Sequence, residues 1–317
     1  MEFDLIDRIR ARLARRDDVV LGLGDDAALL RPKSGHWLVA ACDVLNESIH
    51  FSADDPAEAI GHKSAAVNLS DLAAMGAEPA WALLGLSLPD ADSAWLDGFL
   101  DGFLALSDRH GLRLVGGDTT RGPRSISITV HGWVPEGAAL CRSGAQAGDD
   151  IWVSGTLGDA AAGLQRAGEG AQADWLRARL QRPTPRVALG MALRGIAHAA
   201  IDLSDGLLAD LGHVLEASAV GARVEVDGVP TSAAFEACKA DPGQRRAWQC
   251  AGGDDYELLF TAPRDRRLDV EQLATQQGVP LTRVGVIEAE PGLRPVDAAG
   301  QPCVIAARGW QHFAEPT

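Results

Sequence analysis

Short apolar runs and helix-like stretches alternate from residue 19 to residue 134, break at a polar Gly/Ala/Pro-rich stretch over 135–149, and then begin again. Strand and helix periods cannot be satisfied by one continuous element, so alternation on this scale demands sheets layered with helices. In the first half, 19–23 (VVLGL) and 37–42 (WLVAAC) have strand character, the second ending at Asp43. Residues 57–76 predict a helix rich in small residues, stopped by Gly76 and Pro79. Residues 81–88 predict a buried strand. Trp95, Phe99, Phe103 and Leu106 predict a helix over 93–110, closed by Gly111. LRLV then leads into Gly116-Gly117-Asp118, and the alternating run 125–134 predicts a strand with one exposed face.

After the break, the spacing predicts a strand at 151–155, a helix at 159–168, a second helix ending near Arg182, and a third over 186–198. A strand at 199–203, a helix at 206–218, strands at 222–226 and 256–262, and an αβ unit near 266–287 complete the pattern. Phe3, Ile6, Ile9 and Leu13 add an amphipathic helix at the N-terminus, with no signal-peptide core. At 317 residues the chain exceeds the roughly 250–300 at which one core stops growing, so two domains are expected, 1–137 and 138–317, of α/β or α+β type.

The net charge of −15 repels nucleic acid and anionic lipid, which excludes both as partners. A solvated acidic surface accounts for most of the carboxylates. Five scattered cysteines without CxxC spacing fit a reducing cytoplasm and argue against a disulfide framework or structural zinc. No apolar run approaches the ~18 residues of a membrane span.

Six aspartate–glycine clusters sit beside apolar segments. Gly22-Leu23-Gly24-Asp25-Asp26-Ala27 matches G-x-G-x-x-A only superficially, because Pro32 leaves no room for the helix a dinucleotide site needs. Asp25 and Asp26 there are either metal ligands or turn caps. Asp43 is either a ligand or an ordinary turn aspartate, though a carboxylate beside a core needs a partner. Asn68 and Asp71 share a face of the small-residue helix, as a site or as plain surface. Gly116-Gly117-Asp118 lets backbone approach a ligand while Asp118 holds a cation. Asp202-Leu203-Ser204-Asp205-Gly206 carries more acid than a helix cap requires, and Gly252-Gly253-Asp254-Asp255-Tyr256-Glu257 precedes another apolar strand.

Together these clusters suit Mg²⁺, which takes one or two carboxylates per ion and completes its shell with water and phosphate oxygens. Several such ions let an acidic protein hold ATP. Phosphoryl transfer asks chiefly for positioning and charge neutralisation, so many aspartates and few nucleophiles is a sensible inventory. No GxxxxGK[ST], HExxH or GxSxG motif and no protein-kinase motif set is present. His50 contacts a substrate phosphate or simply packs.

In order, GLGDDAALL, CDVLNESIHF, HKSAAVNLSDLAAMGAEPAW, LVGGDTTRG, CRSGAQAGDDIWVSGTLGD, AIDLSDGLLADLGH, GGDDYELLF and the closing GWQHF resemble the thiamine-monophosphate kinase family of the aminoimidazole-ribonucleotide-synthetase-like superfamily, over nearly the whole chain. The resemblance implies an N-terminal α/β domain that dimerises through its sheet, an α+β C-terminal domain, and substrates in a cleft between them. It implies direct in-line transfer from ATP to thiamine monophosphate, with Mg²⁺ bridging and no phosphoenzyme. Carried over by position, Asp26, Asp43, Asp71, Asp118, Asp202 and Asp205 would ligate Mg²⁺. Gly117, Asp118, Arg142 and Ser204 would hold ATP, and Asp71, Asp118 and Arg142 would serve catalysis. His50, Asp254 and Trp310 would contact thiamine monophosphate, Trp310 by stacking.

Two departures stand out. Ala41 and Cys42 replace Ser/Thr-type residues, leaving the main-chain carbonyl of Cys42 as the ligand there. Asp254 replaces a glutamate and is one methylene shorter. The competing readings are another ATP-using enzyme of the superfamily, such as an aminoimidazole ribonucleotide or selenophosphate synthetase or a hydrogenase-maturation dehydratase, and a non-catalytic nucleotide- or metal-binding module.

Overall fold

A computed structural model describes residues 2–165, 169–238, 240–305 and 309–310. They separate into two compact units, Met1–Leu72 with Ala77–Ala139, and Ala73–Gly76 with Leu140–Thr317.

The first unit runs α1 (Glu2–Ala11), β1 (Val19–Leu21), β2 (Leu29–Leu30), β3 (His36–Asn46), α2 (Ala57–Ala74), β4 (Glu78–Leu88), α3 (Ser93–Arg109), β5 (Arg113–Arg121) and β6 (Ser125–Pro135). Its four-stranded sheet has the order β3-β6-β4-β5. Only β4 and β5 run parallel, joined by the crossover helix α3, while β3–β6 and β6–β4 are antiparallel. The alternation of β6 emerges as expected: Ile126, Ile128 and Val130 are buried, and Ser127, Thr129 and His131 face the half-exposed side.

Helix α2 is buried almost all round, which its run of alanines permits. Where α2 meets α3, Gly61 lies against the Phe99 carbonyl and Gly102 against the Glu58 carbonyl, so a Cβ at either would overlap the facing main chain.

Two strands run further than the apolar pattern suggested. β3 continues past Asp43 to Asn46 because β6 keeps pairing with it, Asp43 lying opposite Ile128. β5 continues through Gly116-Gly117-Asp118 to Arg121, with a register slip that leaves Val115 unpaired between Leu114 and Gly116. Asp43 and Asp118 are therefore mid-strand residues.

The second unit runs β7 (Asp150–Ser154), α4 (Asp159–Gln165), α5 (Ala171–Gln181), α6 (Val187–Leu193), β8 (Ala199–Asp202), α7 (Leu207–Ser218), β9 (Gly221–Glu225), α8 (Ala233–Glu236), α9 (Pro242–Ala251), β10 (Leu258–Ala262), α10 (Arg267–Gln277), β11 (Leu281–Glu288) and β12 (Gly292–Val296). The six-stranded sheet has the order β12-β9-β11-β7-β10-β8. All its pairings are antiparallel except β12–β9. Strands β7, β8 and β10 are buried along their whole length, consistent with their unbroken apolar runs. The core gathers Ile151, Val153, Ile201, Leu211, Val224, Leu259 and Ile287 beneath α7.

Helix α6 is shorter than the 186–198 expected, since the chain turns at Gly195 in a left-handed conformation. The expected end of the helix at 166–168 and the closing residues 311–313 lie outside the described residues.

Candidate functional site

In the first unit, β3 and α2 bring two expected residues together. The Asn68 side-chain oxygen accepts from the Asp43 N–H at 3.2 Å, and its amide donates to the Ser64 carbonyl at 3.0 Å. Asn68 is fully buried and so fixes Asp43 within β3 against α2. Asp71, one turn further along α2, shares that face and is half-buried. Cys42 projects from the opposite, exposed face of β3, its Sγ 3.6 Å from Ser127 Oγ. Only its main chain can act alongside Asp43.

His50 closes a tight turn after β3. Its Nδ1 accepts the Asn46 N–H at 3.0 Å, so in the neutral ring the proton sits on Nε2. Ser48 takes a left-handed φ of 67° within this turn. Lys63, nearly buried on α2, donates to the His50 carbonyl at 3.0 Å. The Gly22–Asp26 turn lies alongside β5, with Gly22 near the Val115 carbonyl, three residues before Asp118. Asp25 accepts the Asp26 N–H at 2.9 Å, so Asp25 caps the turn. The carboxylates of Asp26 and Asp118 are exposed and make no hydrogen bond or ion pair among the described residues. Gly117 has φ 151° and lies against Leu84 of β4.

The second unit assembles a tighter group. Asp202 ends β8, opposite Leu258 of β10. The Ser204 carbonyl accepts the Asp254 N–H at 2.9 Å, and the Leu203 carbonyl accepts the Tyr256 N–H at 2.8 Å. The two acidic loops thus run side by side. The Asp205 carbonyl accepts the Trp310 N–H at 3.1 Å, which places this half-exposed indole at the same loop. Gly206 sits at φ 116°, where a Cβ would press on Ala251 at 2.8 Å.

Sequence reasoning missed Asp210, on the first turn of α7. It is 2% exposed, and one carboxylate oxygen accepts from the Asp205 and Gly206 N–H groups at 3.1 and 3.0 Å. Burial first, then the charges of Asp205 and Asp202, push its carboxyl up to about 7. The only signal was a lone acid inside the apolar LLADL run.

Arg142 is held elsewhere. Its carbonyl accepts from Ser218 Oγ at 3.3 Å, and Ser218 also accepts the Gly144 and Ala145 N–H groups at 3.1 Å. Ser218 is the last residue of α7, whereas Asp205 precedes its first. Within this unit Arg142 is therefore not brought beside Asp202 and Asp205. Its guanidinium is exposed and unpaired among the described residues.

The mutual repulsion of Asp202, Asp205 and Asp210 is what a divalent cation would relieve, so this donor set fits a hard metal ion. Among the described residues no three acidic, His or Cys side chains form a ready-made cage. An ion here would draw on one or two carboxylates and fill its shell from water or phosphate.

Family models for the AIR synthase related protein match this chain twice, the N-terminal domain over residues 24–134 and the C-terminal domain over 146–298. The thiamine-monophosphate kinase of Salmonella typhimurium is 48% identical over 324 residues, covering 99% of each chain. The chain belongs to the thiamine-monophosphate kinase family. The crystal structure of the thiamine-monophosphate kinase from Stenotrophomonas maltophilia K279a is 52% identical, with a TM-score of 0.88 over 95% of this chain and 98% of that one. A thiamine-monophosphate kinase structure described as AaThiL complexed with AMPPCP and TMP is 29% identical, with a TM-score of 0.79 over 98% of this chain and 96% of that one.

Proposed function

We propose that this protein phosphorylates thiamine monophosphate to thiamine diphosphate at the expense of ATP. The observation that carries the reading is end-to-end identity of 48% with a thiamine-monophosphate kinase, joined to a similar structure that holds AMPPCP and TMP. A phosphate oxygen of the acceptor attacks the γ-phosphorus of ATP in line, the bond to the β-phosphate oxygen breaks, and ADP leaves.

The two units divide the work. In the first, Asp26, Asp43, Asp71, Asp118 and the Cys42 carbonyl hold Mg²⁺, with Gly117 and Asp118 against the nucleotide. In the second, Asp202 and Asp205 add ligands and Ser204 holds the triphosphate beside them, while Arg142, whose main chain lies at the other end of α7, reaches the nucleotide from a different side. Asp71, Asp118 and Arg142 carry the largest share of transition-state stabilisation. Mg²⁺, when bound, neutralises phosphate charge and fixes the transferring group. The acceptor is held by His50, Asp254 and Trp310. The Nε2–H of His50 suits a phosphate oxygen, and the half-exposed Trp310 indole offers a face for stacking.

The working form is a homodimer in the cytoplasm. The outer face of the first unit's sheet supports the dimer: Val44 on β3 and Leu83 on β4 lie on it and are 47% and 37% exposed, beside Leu38 at 51%. No helix among the described residues is long and apolar enough to cross a membrane. Incubation with ATP, Mg²⁺ and thiamine monophosphate, followed by ³¹P NMR, should yield thiamine diphosphate and ADP in equal amounts. Turnover of a different phosphorylated acceptor only, or ATP binding without ADP release, would sink the reading.

A further inference from the structure

The segment Asp254-Asp255-Tyr256-Glu257 alternates in direction. Asp254 and Tyr256 are partly exposed, and both take left-handed backbone, at φ 66° and 49°. Asp255 and Glu257 point inward and are 3% and 1% exposed. Two non-glycine residues, separated by a single position, in a conformation that side chains avoid will not persist unless their neighbours force it.

The inward residues supply that force. Both carboxylate oxygens of Asp255 accept the Gly158 N–H, at 3.1 and 2.9 Å. Glu257 accepts two bonds from Arg186, each 2.6 Å, one from Arg179 at 3.0 Å and one from Ser154 Oγ at 2.6 Å. Ser154 in turn accepts the Leu258 N–H at 2.9 Å, tying the clamp to the first residue of β10. The room for it is reserved: a Cβ on Gly155 would overlap the Glu257 carboxylate. Asp159, fully buried and 3.7 Å from Arg179, balances the second guanidinium. A buried ion pair this heavily bonded is rigid, though its net stabilising value is small beside an apolar substitute. Its usefulness must lie in geometry.

We infer that Glu257, gripped by Arg186 and Arg179, is a positioning residue that aims Asp254 at the acceptor substrate. This rests on the reading above in which Asp254 contacts thiamine monophosphate. Glu257 and Arg186 touch no substrate; they act through the backbone of 254–256. The consequence is selective. Loosening the clamp weakens acceptor binding and leaves the nucleotide alone.

The test is a double-mutant cycle on the full chain with Arg186→Lys, which keeps the charge but loses the forked grip, and Asp254→Ala. Arg186→Lys should raise KM for thiamine monophosphate about tenfold and change KM for ATP less than twofold, with an unaltered circular dichroism spectrum. In the Asp254→Ala background the same substitution should add less than threefold. Tyr256 is the chain's one tyrosine, so fluorotyrosine labelling gives a single ¹⁹F resonance, which should shift or split in Arg186→Lys. Equal rises in both KM values, no rise in either, a full tenfold added to Asp254→Ala, or an unmoved resonance would each overturn the clamp's role. If Arg186→Lys fails to fold, Ser154→Ala removes one bond to Glu257 and is judged by the same pattern. Asp254→Ala with unchanged KM for the acceptor would overturn this inference alone, whereas a wild-type chain forming no thiamine diphosphate would fail the proposed activity itself.

Discussion

Replacing Asp210 with Asn should stabilise the metal-free protein, and by more at alkaline than at acid pH. The carboxyl of Asp210 is raised from an ordinary 3.8 to about 7. At about 1.4 kcal/mol per tenfold change in acidity, ionising it in the fold costs up to roughly 4 kcal/mol. Because the folded-state pKa lies above the unfolded one, the native state holds the proton. The associated stability is complete below about pH 4, is lost as pH rises towards 7, and stays lost beyond. Asn keeps an oxygen for the Asp205 and Gly206 N–H groups but carries no charge to oppose Asp202 and Asp205. Relative to wild type, Asp210→Asn should gain roughly 2 kcal/mol more at pH 8 than at pH 5. At about 2–4 °C per kcal/mol for a unit of this size, the gap in Tm widens by roughly 4–8 °C. Calorimetry in EDTA at the two pH values measures it directly. Saturating Mg²⁺ should then narrow the gap at pH 8, since a cation on Asp202 and Asp205 offsets the same repulsion. A pH-independent difference, or a variant less stable at pH 8, would refute the electrostatic account.

Asp71→Asn and Asp118→Asn should each lower kcat roughly 10²–10⁴-fold, about 3–5 kcal/mol of transition-state stabilisation, in steady-state assays with excess Mg²⁺. Gly206→Ala should cost roughly 1–3 kcal/mol in denaturant unfolding, because φ 116° strains any side chain and Ala251 occupies the space. Burial pushes the Cys250 thiol up to about 12, so at pH 8 iodoacetamide should label exposed Cys42 and Cys141 and spare Cys250, as peptide mapping would reveal.

Much of this was legible in the sequence because the chemistry is written locally. Asp202, Ser204 and Asp205 fall within four residues at a strand end, which is more acid than a helix cap requires. Asp43 and Asp118 were legible as residues but misplaced in the fold. An apolar run marks where a strand is buried, whereas its length is set by the neighbour it pairs with, here β6 and β4. Helix α9 had its signal, Asp241 as N-cap ahead of Pro242, yet its low apolar content hid it. Other features have no local signature. Arg186 and Glu257 meet across 71 positions of chain, and Asp210 resembles any polar residue of an amphipathic helix until burial is known. The position of Arg142 at the far end of α7 likewise depends on tertiary packing.

The crossing of α2 and α3 has a bearing on how this enzyme can change. Gly61 and Gly102 let two main chains touch, so the helix bearing Asn68 and Asp71 is seated by atoms that every amino acid shares. The height of those two residues above the sheet is thus set at this crossing by main-chain contact rather than by the fit of two side chains. A single added methyl at either glycine would lift the helix bodily, and no second substitution across the crossing could take the carbonyl out of its way. A mutational library spanning this unit should show Gly61 and Gly102 intolerant even of alanine, the smallest side chain.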